Sequence, residues 1–227
     1  MKPVSTPLKV VALLFLLIGP IAAFYLISSG EHQFIHLPYY GPREWDYRAD
    51  GTVDTIFHRV PDFSFINQFG DTVTEKDFEG KILIVDFFFS TCPTICPVMS
   101  NHMSNLQLQL KEEHFSRVKL LSHTVNPQYD IPDTLLKYGE EHEADFDRWT
   151  FVTGQKQEIY KQGVKGYLLP AQEDALAPGG FLHSEQFVLV DENRHIRGYY
   201  DGTDLAEMRR LMNDVKMLLK ESNEKSS

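Results

Sequence analysis

Apolar residues follow three different rhythms along this chain. From residue 10 to residue 27 they run almost unbroken, as VVALLFLLIGPIAAFYLI, 18 residues without a charge and preceded by Lys2 and Lys9. That length reaches the lower limit for crossing a hydrocarbon core and exceeds an ordinary signal-peptide core. It predicts one amino-terminal transmembrane helix within residues 1–29. Cleavage after Ser28-Ser29-Gly30 is the alternative. No Lys or Arg follows the span until Arg43, so the amino end is expected inside and the rest of the chain outside. This is the topology of a single-pass protein of the cytoplasmic membrane facing the periplasm or the cell exterior. Residues 30–57 show no apolar period and are punctuated by Pro38, Gly41 and Pro42. They read as an irregular spacer, with Tyr39, Tyr40 and Trp45 packed onto the domain surface.

After residue 57 the rhythm becomes that of a packed domain, expected over residues 58–220 with a tail at 221–227. Lys81 to Phe89 (KILIVDFFF) is apolar enough for a central strand buried on both faces. Met99, Met103, Leu106 and Leu110 recur at helical spacing and predict a helix with one buried stripe. Val118 to Val125 reads as a strand, and Asp130 to His142 as a helix with Pro132 in its first turn and Leu135 and Leu136 inward. Trp149 to Val152 reads as a short strand and Gln155 to Lys161 as a short helix. Phe187 to Val190 and His195 to Tyr200 form a hairpin around residues 191–194. A last helix begins near Thr203 and carries Leu205, Met208, Met212, Val215 and Leu219. Strands alternating with helices, closed by a hairpin and a helix, predict an α/β layered domain with a mixed central sheet.

Composition narrows the function. With 22 Lys and Arg against 32 Asp and Glu, the chain carries a net charge of −10, which excludes a nucleic-acid binder that must neutralise phosphates. Its 227 residues hold two cysteines, too few for a disulfide-scaffolded domain. The pair is therefore one structural bridge, one redox couple or part of one metal site.

Cys92 and Cys96 follow the first long strand in the stretch STCPTICP and lead into the first helix. One helical turn would put both on one face, about 5–6 Å apart at Cβ. That separation suits two thiolates sharing a metal ion and is close to what a disulfide needs. Amides at a helix start favour the thiolate form in either case. An inert staple is the least favoured reading, because closing so short a loop constrains the unfolded chain little.

FFFSTCPTICP, with CPxxCP after a hydrophobic strand, resembles the copper chaperones of the Sco (SenC) family, which assist cytochrome c oxidase assembly. SHTVNPQYD, TFVTGQKQEIYKQGVKGY and FLHSEQFVLVDENRHIRGYYDG extend the resemblance over roughly Pro61 to Leu219. It implies a thioredoxin-like fold behind an amino-terminal anchor, with copper, as Cu(I) or Cu(II), bound by Cys92, Cys96 and His183. The implied partner is the copper-binding subunit of the oxidase at its copper A site, with other copper carriers or thiol reductases as further contacts. The expected role is that of a chaperone, not an enzyme. In those terms the donor set is sensible: soft thiolates select Cu(I), and an imidazole extends the range to Cu(II). Gly179-Gly180 would give His183 a flexible approach.

The competing class is a thiol-disulfide oxidoreductase with Cys92 and Cys96 as its redox pair. Three residues between the cysteines, and no proline from Gly179 to Tyr200, count against it. Asp86, six residues before Cys92, counts for it as a buried proton acceptor, although a core acid paired with a Lys or hydroxyl is the preferred reading. A peroxide-reducing enzyme ranks last, since no Arg accompanies Thr91 and Thr94. Met99 and Met103 are expected in the core, and His102 on the far side of the helix from Cys96. His32 and His36 are candidates for an auxiliary metal site. Asn126-Pro127-Gln128 departs from the family's Asp-Pro-Glu and removes two charges near the expected site.

Overall fold

The computed structural model describes residues 16–20, 36–48, 50–169 and 184–225. The chain divides into two units, Met1–His36 and Leu37–Ser227. In the first unit residues 16–20 are helical; the rest of the expected span, Val10 to Ile27, lies outside the described residues. No helix among the described residues is long and apolar enough to cross a membrane.

The second unit holds strands β1 (Arg43–Tyr47), β2 (Val53–Phe57), β3 (Ser64–Asn67), β4 (Thr72–Thr74) and β5 (Ile82–Phe88). Helix α1 (Ile95–Gln109), β6 (Val118–Thr124), α2 (Pro132–Glu141), β7 (Trp149–Thr153) and α3 (Lys156–Lys161) follow. β8 (Gln186–Val190), β9 (Ile196–Asp201) and α4 (Leu205–Lys225) complete it. Seven strands form one mixed sheet in the order β4-β3-β7-β6-β5-β8-β9. β5, β6 and β7 run parallel, while β8 is antiparallel to β5.

β5 sits in the middle because every residue in it is buried, as its unbroken apolar run requires. Asp86 and Phe88 project to the face covered by α2, where Phe88 stacks on Tyr138 with ring centroids 4.9 Å apart. α1 joins the same layer: Ser100 and Tyr138 are hydrogen-bonded at 2.6 Å. α4 lies there too, with Tyr200 donating to Asp214 at 2.7 Å. Residues Val85 and Phe87 face the opposite layer, where Tyr167 follows a π-helical turn at Gln162–Gly166.

Met99, Met103, Leu106 and Leu110 form the buried stripe of α1, each burial contributing roughly 1.5–3 kcal/mol. Pro97 is tolerated because it occupies the first turn, where an amide has no intrahelical partner. In α4 the inward set is Met208, Leu211, Met212, Val215, Leu218 and Leu219, whereas Leu205, expected inside, is 61% exposed as the first residue of the helix. In α2 Leu135 is fully buried and Leu136 is half-buried.

The stretch read as irregular contains the β1–β2 hairpin, paired from Arg43↔Phe57 to Tyr47↔Val53. It is exposed on both faces except near Phe57, so it lacks the one-sided burial that produces an apolar period. Tyr39 does pack down, stacking on Phe57 with the Arg197 guanidinium 4.2 Å from its ring centroid. Trp45 does not: it is 60% exposed on β1. Arg197 ties residues 37–38 to the domain by donating to the Leu37 and Pro38 carbonyls and to the buried carboxylates of Asp191 and Glu221.

Candidate metal centre

β5 ends at Phe88, and the turn that follows is fastened by Ser90. Its amide donates to Asp130 at 3.2 Å, and its hydroxyl donates to the other carboxylate oxygen. The Thr124 hydroxyl at the end of β6 donates to the same carboxylate. Asp130 is fully buried, so these charge-assisted bonds act where water does not compete. The neighbouring turn closes as the amides of Tyr129 and Asp130 donate to the Asn126 carbonyl. The Cys92 amide donates to the Phe89 carbonyl, which folds the chain back before α1 begins.

This geometry brings the two cysteines together by a route the spacing does not describe. Cys92 precedes the helix in a turn, and Cys96 is the second residue of α1. Both are buried and both are free thiols, each near enough to the other to shift its ionisation. Burial opposes ionisation of Cys92, but the amides of Thr94 and Cys96, the Cys96 thiol and the Thr94 hydroxyl at 3.7 Å outweigh it. The Cys92 thiol is left below its ordinary range. Cys96 is pushed far above it, first by burial and then by the neighbouring Cys92 and Asp86 charges, which outweigh the help of the Phe89 backbone. One sulfur is prepared as thiolate while its partner keeps its proton until something replaces it.

Asp86 is paired with a hydroxyl, as expected: Ser122 donates to it, and the Trp149 indole donates to Ser122 at 2.8 Å. Burial raises the Asp86 carboxyl to about 7, with the Ser122 bond and its own amide opposing.

His183, Gly179, Gly180 and His32 lie outside the described residues. Among the described residues no group of three or more His, Cys, Asp or Glu side chains could hold a metal ion. The strand after His183 has a definite place. β8 is antiparallel to β5, so its first residue, Gln186, lies at the end of the sheet where β5 leads to the cysteines. There the Gly202 amide donates to the Glu185 carbonyl at 2.6 Å, and the Gly202 carbonyl meets His102 Nδ1 at 2.7 Å. His102 is thereby committed to the backbone, while Met99 and Met103 are core residues.

Two features escaped the sequence reading. The Asp130 clamp has no periodic signal; the Asn126-Pro127 turn marks only that the chain bends there. His123 is fully buried among Phe63, Phe65, Phe87 and Tyr167, and neither ring nitrogen has a hydrogen-bond partner. Burial lowers its pKa to about 3. It lies on the sheet face away from Asp86 and is no candidate ligand.

The SCO1/SenC family model matches residues 54–220. The SCO1 protein homolog of Bacillus subtilis is 33% identical over 168 residues, covering 72% of this chain and 84% of that protein. The fold is similar to that of BsSco, a Sco-family cytochrome c oxidase assembly protein with a disulfide switch, at a TM-score of 0.63 and 31% identity over 71% of this chain and 94% of that one. Arabidopsis thaliana ScoI with copper bound shares the fold at a TM-score of 0.58 and 23% identity, over 70% of this chain and 99% of that one.

Proposed function

This chain belongs to the SCO1/SenC family, and from that premise we propose that it is a membrane-tethered copper chaperone working outside the cytoplasm. One copper ion is held by Cys92, Cys96 and His183 and passed to the copper A site of cytochrome c oxidase. The observation that carries this reading is the pair of buried, unoxidised thiols brought close together where β5 turns into α1. Two soft sulfurs so placed select Cu(I), and the imidazole of His183, just upstream of β8, adds affinity for Cu(II). The copper held by the Arabidopsis relative is in keeping with that cargo. The apolar run from Val10 to Ile27 supports the anchor, and the lysines before it favour a domain on the outer side.

Metal analysis of the full-length reduced protein tests the site. One copper per chain is expected, lost from Cys92→Ala and from Cys96→Ala. His183→Ala is expected to weaken Cu(II) more than Cu(I), since two thiolates alone can hold Cu(I). Full copper retention by Cys92→Ala would overturn the assignment. Carbonate extraction of membranes and protease access from the outer side test the anchor and its orientation.

The unequal thiols favour a second reading, in which the pair reduces the acceptor's own cysteines. A lowered Cys92 attacks a disulfide and Cys96 resolves the mixed intermediate. Insulin reduction separates the two. A turnover like that of thioredoxin, undiminished by copper depletion, would replace the chaperone reading with this one.

A further inference from the structure

A half-open cavity of about 600 Å³ lies at the opposite end of β5 from the cysteines. Lys81 and Leu83 border it, and the strand rises about 20 Å from there to Phe88. The size falls within the range of pockets that enclose small organic molecules. Its apolar wall is made by Phe63, Phe78, Leu83 and Val190.

The polar lining is unevenly satisfied. Four of its acids are engaged within the fold. Asp62 pairs with Arg194 at 2.5 Å, Glu75 accepts from the Phe63 amide at 3.2 Å, Asp191 pairs with Arg197 at 3.1 Å, and Glu192 accepts from Ser222. Arg59, Lys76 and Lys81, which also line the cavity, form no close side-chain ion pair among the described residues, although Arg59 and Lys76 lie near enough to Asp62 to help hold its carboxyl down. Glu79 at the exposed rim offsets one of these three charges.

Two donors are buried at the cavity without partners in bonding geometry. Tyr167 is sealed from solvent, with its hydroxyl beside the Gln162 amide but outside strict hydrogen-bond geometry. The Gln162 amide beside it turns its nitrogen to the Pro61 carbonyl at 3.4 Å. Arg194 Nε is likewise buried and unpartnered, and the hairpin turn holds Arg194 at φ 69, in the left-handed region that a residue with a Cβ seldom adopts. Unpaired buried donors are rare in folded proteins because each forfeits its hydration.

We propose that this cavity binds an organic anion with an apolar body, a carboxylate or a phosphate monoester. Its charged head would lie among Arg59, Lys76 and Lys81, and its body against Phe63 and Leu83. The site is separate from the cysteines, so copper binding is unaffected by its occupancy.

The test is isothermal titration of the full-length protein in phosphatidylcholine nanodiscs, with empty nanodiscs subtracted. Benzoate and phenyl phosphate are the anionic probes; benzyl alcohol, benzyltrimethylammonium and inorganic phosphate are the controls. Saturable binding of at least one aromatic anion at one site per chain is expected, and which of them binds identifies the head group. The alcohol, the cation and inorganic phosphate are expected to bind about tenfold more weakly or not at all. The double variant Arg59→Ala, Lys81→Ala is expected to lose about tenfold in affinity. Copper stoichiometry and melting temperature report that this variant is folded, and Lys76→Ala provides an independent rim change should the double variant fail. The proposal is overturned if neither anion saturates below about 10 mM. Equal binding of benzyl alcohol, equal binding of inorganic phosphate, or unchanged affinity in the rim variants overturns it as well.

Discussion

Asp130 accepts two hydrogen bonds from Ser90, forty residues earlier in the chain, one from its amide and one from its hydroxyl. With the third bond from Thr124, the carboxylate pins the start of the cysteine loop to the end of β6. Replacing it strands three donors in a region closed to water. Asp130→Ala is expected to cost roughly 2–4 kcal/mol of stability, and Asp130→Asn less, because one acceptor oxygen remains. Denaturant unfolding measures the first effect. Faster alkylation of Cys92 in the native variant measures the loosened loop, and an unchanged rate would show that Asp130 does not hold it.

The two thiols should react unequally. Iodoacetamide at neutral pH is expected to modify Cys92 and spare Cys96 until the protein is unfolded, since amide donors favour the Cys92 thiolate and burial disfavours that of Cys96. Peptide mass spectrometry after a timed quench distinguishes them. Equal labelling would contradict the asymmetry.

Oxidation should close the pair. A Cys92–Cys96 disulfide is expected when metal is absent and oxidant present, and the oxidised protein is expected to take up no copper, because a disulfide sulfur is a poor ligand. Equal uptake by oxidised and reduced protein would sink this expectation.

Asp86 sets a pH dependence. Its folded carboxyl titrates at about 7 against 3.8 unfolded, because burial favours the protonated form. The folded state therefore holds a proton that the unfolded state has lost. Its stabilising share is complete below about pH 4 and declines as pH rises through 7, by roughly 2–4 kcal/mol. Asp86→Asn is expected to flatten that decline and to be the more stable protein at pH 8. Unfolding free energies of both proteins at pH 5 and 8 supply the comparison.

His123 acts in the opposite direction. Its folded pKa of about 3 lies below the ordinary 6.5, so the neutral ring is favoured and stability is complete above pH 6.5. It is lost as pH falls from there toward 3. His123→Phe removes two unpartnered nitrogens from an aromatic cage while keeping a ring of similar shape. A gain of roughly 1–3 kcal/mol is expected at pH 7, larger at pH 5. A loss at both pH values would mean that the imidazole has a buried partner.

Much of this protein is legible in one dimension. Where an element buries one whole face or is wholly enclosed, its composition records the fact. β5 could be read from seven consecutive buried positions, and α1 from the spacing of Met99, Met103, Leu106 and Leu110. The cysteine pair was legible for a similar reason, since Cys92 and Cys96 lie one helical turn apart in sequence and only local geometry must bring them together. The β1–β2 hairpin was not legible, because a ribbon exposed on both faces leaves no period in the sequence. Short β3 and β4 carried too few residues to establish one. The tertiary structure alone decided everything that depends on partners far apart in the chain. Asp130 reaches back to Ser90, Arg197 gathers Leu37, Asp191 and Glu221, and Tyr167 joins Arg194 and Lys81 around one cavity. The physical reason is that polar groups are satisfied one bond at a time, by whichever partner the packed core brings near. Apolar burial repeats along an element and so leaves a rhythm, whereas a single hydrogen bond across forty residues leaves none.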